Sequence, residues 1–186
     1  PRFFELEKKH LWSKSWLIAG CVNELPDVGS YKLWSHLDMP VILIRGKDRN
    51  IRAFFNICRH RGTGLVNKPS GKTKVLTCPF HGWCYDLQGK LNYVSEEYEF
   101  PALDKSANGL VPLRCELWGN LIFINRDMNA EPLLQSLGQA AIELDDFDFH
   151  KRCVTKILPY ELPCNWKVMA DAFMETYHTH ITHKIS

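Results

Sequence analysis

The sequence contains no apolar run long enough to cross a bilayer, so no membrane-spanning helix is expected. It shows no signal peptide ahead of a small-residue cleavage site, and a cytoplasmic location is the expectation. It has no basic block either. The 23 Lys and Arg against 21 Asp and Glu leave a net charge of +2 with the signs interleaved, so nucleic-acid binding gets no help from electrostatics. Internal repeats and low-complexity stretches are missing as well. Cysteines do not come as an even set: Cys21, Cys58, Cys78, Cys84, Cys115, Cys153 and Cys164 are scattered, which fits reduced thiols and not a disulfide framework. What is there is ordinary for a globular chain of 186 residues, with 45% hydrophobic and 24% charged residues, enough for one good core or a small domain plus part of another. The first residue is Pro1 and the last falls inside a patterned segment, so a longer polypeptide is expected.

Residues 3–17, FFELEKKHLWSKSWL, have a loose helical rhythm, and the strand-like WLIAG is followed by the turn signals of LPDVGS. From about Trp34 short apolar strands alternate with Gly, Asp and Asn turns. VILIR, GKDRN and IRAFFNI read as a hairpin, and KVLTC, WCYDLQGKLNYV and NLIFIN continue in that style. EPLLQSLGQAAIELDDF returns to helical spacing, KRCVTKILPYEL reads as a strand, and NWKVMADAFMETYHTHITH reads as a helix with Val168, Ala172, Phe173 and Tyr177 on one face.

Two loops concentrate metal donors. Cys58-Arg-His60-Arg-Gly and Cys78-Pro-Phe-His81-Gly-Trp each supply one thiol and one imidazole, with seventeen residues between His60 and Cys78. Such a set can hold a tetrahedral zinc ion. It can equally hold a [2Fe–2S] cluster, with both cysteines on one iron and both histidines on the other. Zinc fingers usually pair like ligands through short gaps, whereas each loop here mixes the types, as two similar loops touching both irons would require. The tail METYHTHITHKIS adds His178, His180 and His183, closely preceded by Asp171 and Glu175. Five residues turn an ideal helix so far that His178 and His183 would point about 140° apart. A break near Ile181 or Thr182 is therefore expected if both are to face one metal, with Glu175, His178 and Asp171 sharing a helix face. His180 lies on the other side and reads as a surface residue. Glu175-x2-His178 and Glu7-x2-His10 also match the E-x2-H of di-iron bundles, but the further bridging glutamates are not apparent.

The pattern Cys-x-His, seventeen residues, Cys-x2-His, with a glycine after each loop and Trp83 following, resembles the Rieske proteins. Respiratory members carry an extra cysteine in each loop and a hydroxyl after the second His-Gly; here those positions hold Thr63, Phe80 and Trp83. Fewer hydrogen bonds to sulfur imply a reduction potential low in the Rieske range, about −150 mV. The resemblance to large subunits of Rieske non-haem iron oxygenases extends through Asn165-Trp166-Lys167 to Asp171, Glu175, His178 and His183. It implies an α+β fold. An all-β Rieske [2Fe–2S] domain, residues 35–128, is inserted between an N-terminal helical and strand segment, 1–34, packing on the catalytic domain, and a linker helix with the first part of a helix-grip-type catalytic domain, 129–186.

By the same resemblance Cys58, His60, Cys78 and His81 hold the cluster. His178 and His183 are ligands of a mononuclear Fe(II), and Glu175, accompanied by Asp171, belongs to the catalytic machinery. Glu175 would link the cluster histidine His81 of a neighbouring subunit to that iron. The aspartate completing the facial triad would lie beyond Ser186. Implied partners are a ferredoxin or flavin reductase drawing on NAD(P)H, O2, and a small organic substrate, in a homotrimer with or without a beta subunit. The expected activity is hydroxylation of an aromatic or polycyclic hydrophobic substrate. Oxidative demethylation or monooxygenation of a quaternary ammonium compound is the alternative, and a Rieske ferredoxin without catalysis or a zinc-bearing structural module are readings from other classes.

Overall fold

The computed structural model describes residues 2–183; Pro1 and residues 184–186, the end of the histidine-rich tail, lie outside it. The chain divides into two compact units, Pro1–Val154 and Thr155–Ser186. In the first, helix α1 (Arg2–Glu7) runs into a wider helical turn, Lys8–Trp12, and then into β1 (Leu17–Cys21). The strands that follow are β2 (Ser30–His36), β3 (Met39–Arg45), β4 (Ile51–Phe55), β5 (Ser70–Lys72), β6 (Leu76–Thr77), β7 (Cys84–Tyr85), β8 (Leu91–Tyr93), β9 (Pro112–Trp118) and β10 (Leu121–Asn125). Seven of them form an antiparallel sheet in the order β1-β10-β9-β4-β3-β2-β5, and β6-β7-β8 form a second, smaller sheet.

The VILI run explains how the sheet is anchored. A continuous apolar run of strand length is a strand buried on both faces, and Val41 to Ile44 are all 0% exposed. The two-residue period sends Ile42 and Ile44 into a core with Tyr31, Phe54, Cys58, Leu76 and Tyr85. It sends Val41 and Leu43 into a second core with Trp34, Ala53, Ile122 and Ile124. Burying each such side chain contributes roughly 1.5–3 kcal/mol. The first core is the one that carries Cys58 and Cys78.

The β3–β4 hairpin forms as read from the sequence, paired from Val41↔Phe55 to Arg45↔Ile51. The helical reading after residue 131 resolves into α2 (Leu133–Leu137) and α3 (Gln139–Glu143), parted at Gly138. Two expectations change. The sheet begins well before residue 35, because β1 satisfies its backbone groups on β10, from Leu17↔Ile124 to Cys21↔Leu121. The strand read in KRCVTKILPYEL does not form: residues 153–162 have no regular structure, and among the described residues no strand offers them a ladder.

The second unit contains α4 (Trp166–Met174) and α5 (Thr179–Thr182). Among the described residues, no helix is long and apolar enough to cross a membrane.

Candidate metal centres

The two cysteine–histidine loops are backbone copies of each other. One follows β4; the other joins β6 to β7. In the first, the Cys58 N–H donates to the Thr63 carbonyl at 2.8 Å and the Gly62 N–H to the Cys58 carbonyl at 3.0 Å. In the second, the Cys78 N–H donates to the Trp83 carbonyl at 2.8 Å and the Gly82 N–H to the Cys78 carbonyl at 3.0 Å. Gly62 and Gly82 take φ of +78° and +71°, and a Cβ on either would meet nothing within 4 Å. The glycine after each histidine is therefore required by the left-handed backbone and not by crowding.

Donors of one kind are brought together across the loops. Cys58 and Cys78 are 2% and 3% exposed, and both belong to the same buried core cluster. The His60 and His81 rings lie 4.7 Å apart between centroids. His60 Nδ1 is buried without a hydrogen-bond partner among the described residues. An orphaned ring nitrogen costs about 1–3 kcal/mol unless something takes its lone pair. Burial, then His81 and Arg61, push the His60 pKa down, which favours the neutral imidazole a metal needs. Thiol beside thiol and imidazole beside imidazole is the donor arrangement of a Rieske [2Fe–2S] centre. The residues fit the cluster.

Several residues that build this site escaped the sequence reading. Tyr85, 0% exposed, places its hydroxyl 3.3 Å from Cys58 Sγ and accepts the Arg59 N–H at 3.0 Å. The signal was there: Tyr85 stands two residues after Trp83, so the short strand turns both inward. Trp83 stacks on His60 at 4.8 Å and 7°, and Phe100 meets both rings edge-on at 5.8 and 5.9 Å. Buried Asn56 latches the first loop: its carbonyl accepts the Leu65 and Val66 N–H at 2.7 and 3.1 Å, and its amide donates to the Val66 carbonyl at 2.7 Å. Nothing in the local pattern marks Asn56 or Phe100.

The second candidate centre lies wholly in the second unit. Asn165 caps α4, its carbonyl accepting the Lys167 N–H at 3.0 Å, which gives the Asn-Trp-Lys triplet a structural role. The helix stops at Met174, and Glu175 is extended at φ −130°, ψ 153°. Its carboxylate accepts the backbone N–H groups of Tyr177 and His178 and also meets His178 Nδ1. These bonds, the imidazole first, pull the Glu175 pKa below the ordinary carboxylate value. The break expected near Ile181 or Thr182 does not form, since both stay helical; the helix is interrupted instead at residues 175–178. His178 and His183 cap the single turn of α5 at its two ends, which is how their rings come within 5.4 Å.

The continuous helix face expected for Asp171, Glu175 and His178 does not exist. Asp171 sits on α4 before the break and is not brought into a metal-holding group among the described residues. His180 lies on α5 and is exposed, as expected. A carboxylate on the Nδ1 of one histidine, with a second imidazole beside it, fits two of the three protein ligands of a mononuclear iron.

Residues 15–104 match the family described as the Rieske [2Fe-2S] domain. Residues 145–186 match the family described as the ring hydroxylating alpha subunit (catalytic domain). The carnitine monooxygenase oxygenase subunit of Acinetobacter baumannii is 37% identical over 94% of this chain and 48% of its own length. The benzene 1,2-dioxygenase subunit alpha of Pseudomonas putida is 35% identical over 98% of this chain and 42% of its own. The crystal structure of the apo quaternary ammonium Rieske monooxygenase CntA matches with a TM-score of 0.90 at 34% identity, over 97% of this chain and 53% of that one. The chain therefore spans about half the length of such relatives. Because single relatives run through both matched segments, the chain belongs to the Rieske non-haem iron oxygenases, as the Rieske domain and the beginning of the catalytic domain of a large (alpha) subunit.

Proposed function

We propose that this chain is the electron-accepting portion of an oxygenase. Cys58, His60, Cys78 and His81 hold a [2Fe–2S] cluster, and His178 and His183 supply two of the three protein ligands of a mononuclear Fe(II). When bound, these groups supply one-electron storage and O2 activation toward hydroxylation of an aromatic or polycyclic hydrophobic substrate. The observation that carries the reading is the pair of twin loops and the Glu175–His178–His183 group within one chain, since an electron carrier has no use for the second.

The chain's own residues have definable tasks. The Tyr85 hydroxyl lies 3.3 Å from the Cys58 sulfur, and once that sulfur is a thiolate it can only accept from the phenol, a bond that opposes the burial pushing the thiol pKa up. Trp83 and Phe100 fix the plane of His60. Glu175 accepts Nδ1–H of His178, which sets the tautomer and turns the Nε2 lone pair toward a metal. The same carboxylate would take a hydrogen bond from His81 of a neighbouring copy, in a homotrimer fed by NAD(P)H through a reductase or ferredoxin. Seven free cysteines are consistent with a reducing cytoplasm.

A second substrate reading, a quaternary ammonium compound, is favoured by glutamate at position 175, where many members of the family have aspartate, and by the likeness to the carnitine enzyme. The test uses the full-length protein with its electron donor, aromatic hydrocarbons and trimethylammonium compounds offered side by side, and 18O2 incorporation into product as the readout. Glu175→Ala should lower turnover about 10–100-fold with both iron centres still loaded. Near-normal turnover would remove the bridging role, and no O2 uptake with any substrate would leave a carrier.

A further inference from the structure

Two cysteines outside the metal loops are led to one corner of the fold. Cys21 ends β1 and is buried, whereas Cys153 is exposed, and both thiols are free. The pairings Cys21↔Leu121 and Leu121↔Trp118 set these three residues side by side across β1, β10 and β9. Directly opposed residues share a face. All three therefore lie opposite the face through which Ile122 enters the second core. The segment that ends at Cys153 packs on the same corner. Phe149 meets the Trp118 ring at 5.2 Å, and a Cβ on Gly119 would come within 2.6 Å of the Phe149 Cβ. Asn120, in the turn between β9 and β10, ties the two segments together. Its backbone carbonyl accepts the Val22 N–H at 2.9 Å. Its side-chain amide donates to Asn23 Oδ1 at 3.0 Å and to the Arg152 carbonyl. The residue after Cys21 and the residue before Cys153 are thus held by one asparagine.

We propose that Cys21 and Cys153 are an oxidative modification site, a thiol pair that hydrogen peroxide converts into an intrachain disulfide. Exposed Cys153 reacts first. Its sulfur attacks one peroxide oxygen, the O–O bond breaks, and a sulfenic acid and one water result. The Cys21 sulfur then attacks the sulfenic sulfur, the S–O bond breaks as the S–S bond forms, and a second water leaves. The two thiols give up two electrons and two protons, and the peroxide takes them to become two waters. Burial, then the Glu24 carboxylate, push the Cys21 thiol pKa up, which makes it the slower thiol toward peroxide and leaves it the resolving partner. Cys153 stands two residues before Thr155, where the second unit begins, so the disulfide would fasten the exit of the first unit to β1. In a reducing compartment such a bond is transient and is reopened by thiols.

The full-length, metal-loaded protein and its Cys153→Ser variant would be treated with hydrogen peroxide and, in a parallel arm, with the thiol oxidant diamide. Both are then alkylated with N-ethylmaleimide in denaturant and digested with trypsin. Cleavage after Lys14, Lys32, Arg152 and Lys156 places Cys21 and Cys153 in separate peptides, 15–32 and 153–156, each with no other cysteine. Wild type should yield the two joined, two hydrogens lighter than their sum, from protein that runs as a single chain on a non-reducing gel. Dithiothreitol should abolish the joined species. The Cys153→Ser variant should yield none and leave Cys21 alkylated, whereas Cys164→Ser, which removes the other exposed thiol, should leave the yield unchanged. Cys153 recovered as a sulfinic acid with Cys21 still alkylated would overturn the proposal. So would Cys153 joined to Cys164 or to a second chain, or both thiols fully alkylated after either oxidant.

Discussion

Tyr85 shows how one hydroxyl alters the redox expectation for the whole site. The phenol oxygen accepts the Arg59 N–H, and with Cys58 as a thiolate ligand the phenolic hydrogen is the one that can lie between Oη and Sγ, 3.3 Å apart. Burial, followed by the thiol it faces, drives the phenol's ionisation far above the ordinary tyrosine range, so it remains a donor at any working pH. A hydrogen bond to ligand sulfur stabilises the electron-rich, reduced state. Tyr85→Phe should therefore lower the potential by about 40 mV, the one-electron equivalent of about 1 kcal/mol. A redox titration followed by electron paramagnetic resonance measures it, and an unchanged potential would show that the bond is absent from the loaded protein. Such a bond would raise the low potential expected from Thr63, Phe80 and Trp83, and it comes from a residue that the sequence reading passed over. The two twin loops were legible because the chemistry proposed for them is confined to spaced Cys and His. Tyr85 and Asn56 were not, since each acts on a backbone or sulfur partner that only the folded loops bring near.

At the scale of elements, the hairpin turn between β3 and β4 was legible in GKDRN, and its charge pair makes it testable. The Asp48 carboxylate meets the Arg52 guanidinium at 2.6 and 2.8 Å and accepts the Asn50 N–H at 3.3 Å. The guanidinium first, and then the Asn50 groups, hold its pKa well below the ordinary carboxylate range. A depressed carboxylate contributes stability above its unfolded pKa, about 3.9, and loses it as pH falls through the folded value. The midpoint gap between wild type and Asp48→Asn in urea melts should thus stay constant from pH 7 to about 5 and narrow below about pH 4. A gap that widens on acidification would contradict the assignment. The break after α4 was not legible. The helical period of NWKVMADAFMETYHTHITH runs unbroken in sequence, but the Glu175 side chain competes for the Tyr177 and His178 N–H groups and ends the ladder there. KRCVTKILPYEL failed for the opposite reason, because alternation marks a strand only where another strand accepts its hydrogen bonds.

For the whole molecule, the question is whether an electron leaving the cluster stays within its own chain. Glu175 already engages His178 through Nδ1 and two backbone N–H groups, yet a carboxylate has about four lone-pair sites, so one can still accept a histidine from another copy. If that histidine is the His81 of a neighbour in a head-to-tail ring, the two metal centres serving one turnover belong to different chains. Two disabled full-length proteins separate the possibilities. Cys78→Ser removes the cluster and keeps the iron site; His178→Ala does the reverse. Each alone should be inactive. Dissociated, mixed in equal amounts and reassembled, they should recover about a quarter of wild-type turnover, since each contact in the ring has a half chance of an intact cluster on one side and a half chance of an intact iron site on the other. Transfer within one chain would leave the mixture as dead as its components, because no chain would then carry both centres. Recovery that disappears when Glu175→Ala is added to the Cys78→Ser chain, but persists when it is added to the His178→Ala chain, would place the bridging carboxylate on the iron-bearing side of the contact.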